Sequence, residues 1–509
     1  MILNKNKIGL TSSVLLGVSA IIGSGWLFAP FKTAEIAGPA AVFSWIVGAI
    51  LVLLLSFCFA EIAALYPKRG LSAIIPTLSH NKFFGFPFAL ANWLGVVSVI
   101  GLEADASVQY LIHLFPALVY YFFFNGELTF LGNCISITLV ILFSLANYWG
   151  AKVLAKTNNI LTVIKLIVPV TTALIVIAVA FSPENFVIQS DTLVPYGFRS
   201  IFFALVSSGI IVAFNGFQTV VSFASEIKHP HKVIPRALAW SILICLVVYL
   251  LLQVAFIGAL PSVLVQNGWS QLSMSAPMVQ LSLMLGLGIL TSIIYFGAVL
   301  APSGAALAFT GTATRMFTAM ARRGQMPRYF DAVHSVYHVS RRSLLVNTII
   351  ALLFVLLFRS WNRLAAVISM LHIVSYLPIP LALVVFRAQK PGKKYVFRVF
   401  AGKPIALFLF VVFTYLLTLI DPTLVAEFIA FFIFSLVVYI LMVERTLHDI
   451  LAACKSAASL LIYFMGLLLL VEVLPDYLTD EWLYHLVFLL FALFSFWLMT
   501  KQPRSVANT

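Results

Sequence analysis

Apolar residues fill this chain in runs of about twenty, each closed by a short polar break. A run of that length, coiled as a helix, covers a hydrocarbon layer of roughly 30 Å. The pattern predicts about fourteen spans, near 11–36, 41–65, 84–112, 130–150, 157–181, 198–225, 235–259, 279–311, 343–358, 364–386, 403–421, 424–442, 452–472 and 482–500. Two of these runs are interrupted where a span should be most regular. The first carries Ile21-Ile22-Gly23-Ser24-Gly25-Trp26-Leu27-Phe28-Ala29-Pro30, and the sixth carries Asn215-Gly216 within the stretch from Ser207 to Thr219, flanked by Phe214, Phe217 and Gln218. Glycine costs a helix roughly 1 kcal/mol relative to alanine, and Asn-Gly is turn chemistry.

An unwound backbone in hydrocarbon strands its N–H and C=O groups, so it persists where protein or a ligand satisfies them. The N-terminal end of a half-helix carries partial positive charge and receives an anionic group. The two breaks therefore predict a small-molecule site with Gly23, Ser24 and Gly25 at its floor. With the N-terminus in the cytoplasm, the first span rises outward and the sixth descends inward. Interrupted helices in oppositely directed halves point to an inverted-repeat transporter.

Charge changes the picture in one way. All 31 Lys and Arg residues except Arg199, Arg359, Arg363, Lys32 and Lys165 fall in segments that this orientation places in the cytoplasm, as the positive-inside rule requires. An even number of spans returns the C-terminus to the same side. The net charge of +14 is then a matter of topology, and no nucleic-acid partner is expected. A composition of 62% apolar and 9% charged residues excludes a soluble fold of this size. No removable signal peptide is expected ahead of the first span. Cys58, Cys134, Cys245 and Cys454 have neither disulfide nor metal spacing and are expected to pack. There is no phosphate loop and no converging His, Asp, Glu or Cys set, so no enzyme, cofactor or metal is expected.

Ala20-Ile21-Ile22-Gly23-Ser24-Gly25-Trp26-Leu27-Phe28 with Ala37-Gly38-Pro39 resembles the first-helix signature of the amino acid–polyamine–organocation superfamily of permeases. Phe214-Asn215-Gly216-Phe217-Gln218 with Glu226-Ile227-Lys228-His229-Pro230 resembles its sixth-helix signature, and Thr310-Gly311-Thr312-Ala313-Thr314-Arg315 its eighth. The Gly-Ser-Gly-Trp-Leu-Phe version looks like that of bacterial aspartate–proton symporters and their relatives. The resemblance implies an all-α membrane protein of LeuT-type fold. It implies a ten-helix core in 1–390, made of inverted repeats about 11–181 and 198–386. Residues 391–509 would add about four helices and a cytoplasmic tail. It also implies that a substrate α-carboxylate meets amides at Gly23, Ser24 and Gly25, and that the α-amino group meets carbonyls near Ile21, Phe214 and Asn215. Gly216, Phe217 and Gln218 complete that side, although Gln218 stands where some acid-resistance exchangers of the family carry a glutamate. Trp26 and Phe28 flank the first break as gating aromatics.

Ionisable groups inside a membrane need an account. Lys165, in the fifth span, either snorkels to the cytoplasmic face or takes the place that sodium holds in sodium-coupled relatives. Glu103 and Asp105, in the third, stand about 200° apart on a helix, and Glu103 is the candidate proton-coupling carboxylate. Lys32 and Glu35 have the spacing of a structural ion pair. Glu61 is expected to cap its helix or to pair with Lys68 or Arg69. His372 is expected to be a packing residue.

The expectation is a secondary amino-acid permease of the bacterial cytoplasmic membrane, working by alternating access and coupled to protons. The alternatives are an exchanger of the same fold and a membrane-embedded enzyme. Its partners would be an amino acid, protons and the lipid bilayer, with no obligate protein partner.

Overall fold

A computed structural model describes residues 7–501 apart from 150, 188–191, 267, 338, 390–396 and 479; the side chains of 151–158 and 160 also lie outside the description. The basic positions Lys5, Lys390, Lys393, Lys394 and Arg504 fall outside it. Each predicted run is a helix or a pair of helices. Span 1 is Leu10–Ile21 and Gly25–Ala37, span 2 Ala41–Leu65, span 3 Lys82–His113, span 4 Phe130–Tyr148 and span 5 Ala151–Ala180. Span 6 is Gly197–Ser207 and Ile210–Ser222, span 7 Pro230–Ala259, span 8 Gly288–Arg322, span 9 Arg341–Leu357 and span 10 Trp361–Gln389. Gly402–Thr418, Pro422–Val443, Leu447–Tyr477 and Glu481–Lys501 are spans 11 to 14.

Among the described residues, ten helices pass as membrane spans on length and apolarity, or eleven with the bent sixth pair. The lower number has geometric causes. Gly25–Leu65 runs together as one 41-residue stretch across the Gly38–Ala40 turn, and spans 9 and 11 have 17 residues each. The eighth span starts later than the expected 279. Gly286, at φ 70°, ends a separate short helix, Pro277–Met284, and the span proper then runs on to Arg322.

Packing repeats with a two-fold pattern. Span 3 lies along span 8, span 2 along span 7 and span 4 along span 9. Span 5 packs on spans 1, 7 and 8, and span 10 packs on spans 6, 2 and 3. That is the same set of neighbours with the halves exchanged. The ends of spans 1 and 6 show the inversion directly. Ile8, before span 1, bridges Ile227, after span 6, through Ile8 N–H to Glu226 O and Lys228 N–H to Ile8 O, both 2.9 Å. At the opposite face Lys32 and Glu35, late in span 1, share a cavity with Tyr196 and Phe203, at the start of span 6. The start of one span thus meets the end of the other at each face. Two inverted five-helix halves and four further helices form an all-α membrane protein.

Candidate functional site

Both interrupted spans are broken, and the breaks meet. In span 1 the helix stops at Ile21, Ile22 turns extended (φ −82°, ψ 90°) and a new helix opens at Gly25. In span 6 Gly209, at φ 87°, sets a 54° bend, and Asn215–Phe217 then tightens into a 3-10 turn. A φ of that sign strains any residue with a Cβ. The expected break at Asn215-Gly216 is therefore the lesser of two. The sharp one lies at Ser208-Gly209, where the sequence offers the glycine that a left-handed residue needs.

Gly216 has another task. A Cβ there would fall on the backbone of Ala20 and Ile21, so glycine lets the 3-10 turn of span 6 lie against the end of the first half-helix. Gly25 repeats this from the other side, since its Cβ would stand 3.1 Å from that of Ala213. Tyr249 of span 7 ties the two breaks together. Its hydroxyl lies 3.0 Å from Ile21 O and 3.1 Å from Ala213 O, and a single hydroxyl hydrogen is shared between these carbonyls.

The half-helix ends of span 1 each hold a side chain of opposite charge type. Ser24 N–H, at the N-terminal end of Gly25–Ala37, donates to Glu103 Oε2 at 2.7 Å. The carboxyl lies so close over Gly23 that a Cβ there would collide with it. At the other end, Lys165 Nζ donates to Ser19 O at 2.6 Å and lies against Gly304 of span 8. Lys165 is 1% exposed, so it reaches inward to a helix carbonyl and does not snorkel. Asp105 is buried too, on the far side of the same helix, with Ser136 of span 4 as its polar neighbour.

Aromatic rings pack over the second half-helix of span 1. Trp361, the first residue of span 10, donates its indole N–H to Ser24 Oγ at 2.9 Å and stacks on Phe28 with centroids 4.8 Å apart. Phe28 also meets Tyr110 edge-on at 5.2 Å. Trp26 lies elsewhere, near Gly297 and Val168. Phe214 packs against Trp45 and Tyr249, and Phe217 against Phe59 and Tyr376. Below the 3-10 turn, Gln218 Nε2 donates to Asn215 Oδ1 at 3.1 Å and to Tyr376 Oη at 3.3 Å. His372 Nδ1 lies 2.8 Å from Ile368 O and 3.5 Å from Asn215 Nδ2, and its ring fills the space over Gly95 of span 3.

The two faces of the molecule are built differently. Where span 6 ends, Arg315 of span 8 binds Glu226 at 3.0 Å, and its guanidinium stacks on Phe223 at 3.7 Å. Arg69 stands 3.9 Å from the same carboxylate. Burial, then the neighbouring Arg315, pull the Arg69 guanidinium down to about 10, which leaves it charged at neutral pH. At the opposite face lies a cavity of about 530 Å³, bordered by Lys32, Glu35, Ser207 and Asn362, the residue after Trp361. The Lys32–Glu35 pair is formed at 2.6 Å.

Two expectations need correction, and two residues were missed. Glu61 does not pair with Lys68 or Arg69. It is fully buried, takes both Arg387 donors at 2.7 Å and accepts Val399 N–H at 2.6 Å. That contact ties span 2 to the end of span 10, a partner 326 residues away that spacing along the chain does not reveal. Cys134 and Cys454 are exposed on the outer helices; Cys58 and Cys245 are buried as expected. Trp361 and Tyr249 were missed, although each leaves a mark. Ser360 accepts Arg363 N–H at 3.3 Å as an N-cap, a start signal that places the helix ahead of the expected 364. Tyr249 and Gln253 are two polar-tipped residues at i,i+4 in an apolar run, the spacing of one helix face.

The amino acid permease family model matches residues 8–443 of this chain. The glutamate/serine transporter AimA of Bacillus subtilis is 35% identical over 388 residues, covering 75% of this chain and 71% of that protein. The aspartate-proton symporter of the same organism is 34% identical over 387 residues, covering 76% and 74%. Its branched-chain amino acid permease BcaP is 26% identical over 461 residues, covering 86% and 93%. These relatives are named as transporters and permeases, not as enzymes. With two broken helices facing each other at the centre of an inverted repeat, the chain belongs to the amino acid permease family of the amino acid–polyamine–organocation superfamily.

Proposed function

We propose that this protein is a secondary active permease that carries an amino acid by alternating access across a bacterial cytoplasmic membrane, driven by protons. One observation carries the reading: Glu103 holds the Ser24 amide at the N-terminal end of one half-helix, 2.7 Å away. A carboxylate is the group that such an end receives, and Glu103 is a tethered version of it. An incoming α-carboxylate competes with Glu103 for Ser24 and the adjoining Gly23 and Gly25. A displaced Glu103 is a buried carboxylate short of a hydrogen-bond donor, and binding a proton relieves that cost. Lys165, at the carbonyl end of the other half-helix, supplies the second exchangeable proton. The substrate ammonium is placed at the carbonyl side, near Ile21 and the turn Phe214-Asn215-Gly216-Phe217-Gln218.

Alternating access opens one closure at a time, the Trp361–Phe28 lid on the outer side or the Arg315–Glu226 contact on the cytoplasmic side. Both termini lie in the cytoplasm in this reading. Spans 1–10 form the transport core, with spans 11–14 outside it. Aspartate, glutamate and serine, which the relatives' names specify, are the first substrates to examine. Proteoliposomes of the purified chain, screened against every proteinogenic amino acid, decide the matter. Accumulation of one or a few amino acids under an inward proton gradient, with none preloaded, is the expected result. Uptake that needs preloaded amino acid makes the protein an exchanger, and no uptake under either condition overturns the reading.

A further inference from the structure

Asp105 takes no part in the site just described. It is 1% exposed, and neither of its carboxyl oxygens has a hydrogen-bond partner among the described residues. Facing it from span 4 is the buried hydroxyl of Ser136, close enough to act on the carboxyl, although the two close no hydrogen bond of ordinary geometry. One turn earlier on span 4, Asn133 spends its amide N–H on Val355 O of span 9, 3.3 Å away, and its Oδ1 is buried and unpartnered. Asn133 and Ser136 stand i,i+3 on one face of span 4, and with Asp105 ionised the Ser136 hydroxyl is the one donor among the described residues that is placed against its two buried carboxyl oxygens. Buried polar atoms are almost always satisfied, and an unpartnered buried charge is far costlier than an unpartnered dipole.

No neighbouring cation answers that shortage. Spans 4, 8, 9 and 10 pack along span 3, as do Leu71–Ser79 and spans 12 and 13 at its other end; on the first four, Arg322 binds Asp331, Arg387 binds Glu61, and Tyr295 donates to His113 O. Arg315 binds Glu226 and Arg363 binds Glu127. Arg341 and Arg342 stack on Tyr148 and Tyr329. His372 meets span 3 at Gly95, ten residues before Asp105. A proton on Asp105 itself supplies the missing donor and removes the charge in one step.

We propose that Asp105 is a proton-binding site, separate from Glu103 and Lys165, whose neutral acid form donates to the Ser136–Asn133 face of span 4 and holds spans 3 and 4 together. Loss of that proton leaves a bare carboxylate between the two helices and loosens them. A bound sodium ion among the same oxygens is the competing occupant, and the test separates the two.

Infrared spectra of the full-length protein in lipid, with aspartate carboxyls labelled with carbon-13, read this without any transport measurement. The expected result is a carboxylic-acid carbonyl band at neutral pH that shifts with the label and disappears in Asp105→Asn. Absence of a label-sensitive acid band in the wild-type protein overturns the proposal, whether or not the variant folds. A label-sensitive band that survives in Asp105→Asn, or one that vanishes when sodium chloride replaces choline chloride, overturns it as well. The proposal stands or falls independently of the permease reading, since a failed uptake screen leaves the infrared result untouched.

Discussion

At Gly216 a single added methyl meets the Ala20–Ile21 backbone, and a peptide plane cannot rotate away as a side chain does. Gly216→Ala therefore pushes the two breaks apart, at a cost of about 1–3 kcal/mol for overpacking. Amino-acid uptake in proteoliposomes is expected to fall at least tenfold while the variant still elutes as a folded protein on size exclusion. Lys165 is the second residue on which the account is exposed. Lys165→Ala removes the ammonium from Ser19 O, so uptake should no longer respond to an imposed pH gradient. A pH response equal to that of the wild-type protein assigns Lys165 a structural task. Both residues were legible in the sequence, because a glycine in mid-span and a lysine within an apolar run each break a strong local rule. Glu61 was legible as an acid that needs a partner at its span's end but not as a partner of Arg387, since the two are joined by folding and not by spacing.

The interrupted helices carry the account at the next scale. Their existence was readable from Gly23-Ser24-Gly25 and Asn215-Gly216, but the position of the sharper bend was not. Asn-Gly outweighed Ser208-Gly209 as a turn signal, yet the chain bends where a left-handed glycine also makes room for Trp361. A Cβ on Gly209 would stand 2.9 Å from that indole. Gly209→Leu combines about 1–2 kcal/mol of backbone strain with displacement of the lid, so the expected outcome is a lower melting temperature together with changed Trp361 fluorescence. Unchanged values of both place the lid elsewhere. Trp361 escaped the sequence reading because an apolar-run criterion trims helix ends, and the N-cap serine that marks this start is a weaker signal than twenty apolar residues.

For the whole molecule, the fourteen runs and the inverted halves follow from hydropathy, charge distribution and the two breaks, whereas the closures at the two faces depend on contacts between distant spans. Glu61–Arg387 is one such contact, and it joins span 2 to the chain segment leading into span 11. Glu61→Ala leaves the buried Arg387 without its counter-ion, a loss of about 3–5 kcal/mol. It should lower thermal stability far more than Glu35→Ala, which removes a partly exposed pair. Equal effects of the two substitutions would place the strain elsewhere. The central claim concerns the middle of the molecule: a free α-carboxylate displaces Glu103 from Ser24 at the meeting of the two breaks. Competition binding to the purified protein tests this most directly, with aspartate, glutamate and serine each set against its own α-amide. The account predicts that an acid that binds outcompetes its amide by roughly tenfold to a hundredfold, the value of a charge-assisted hydrogen bond in a buried site. Amides that compete as well as the acids contradict it.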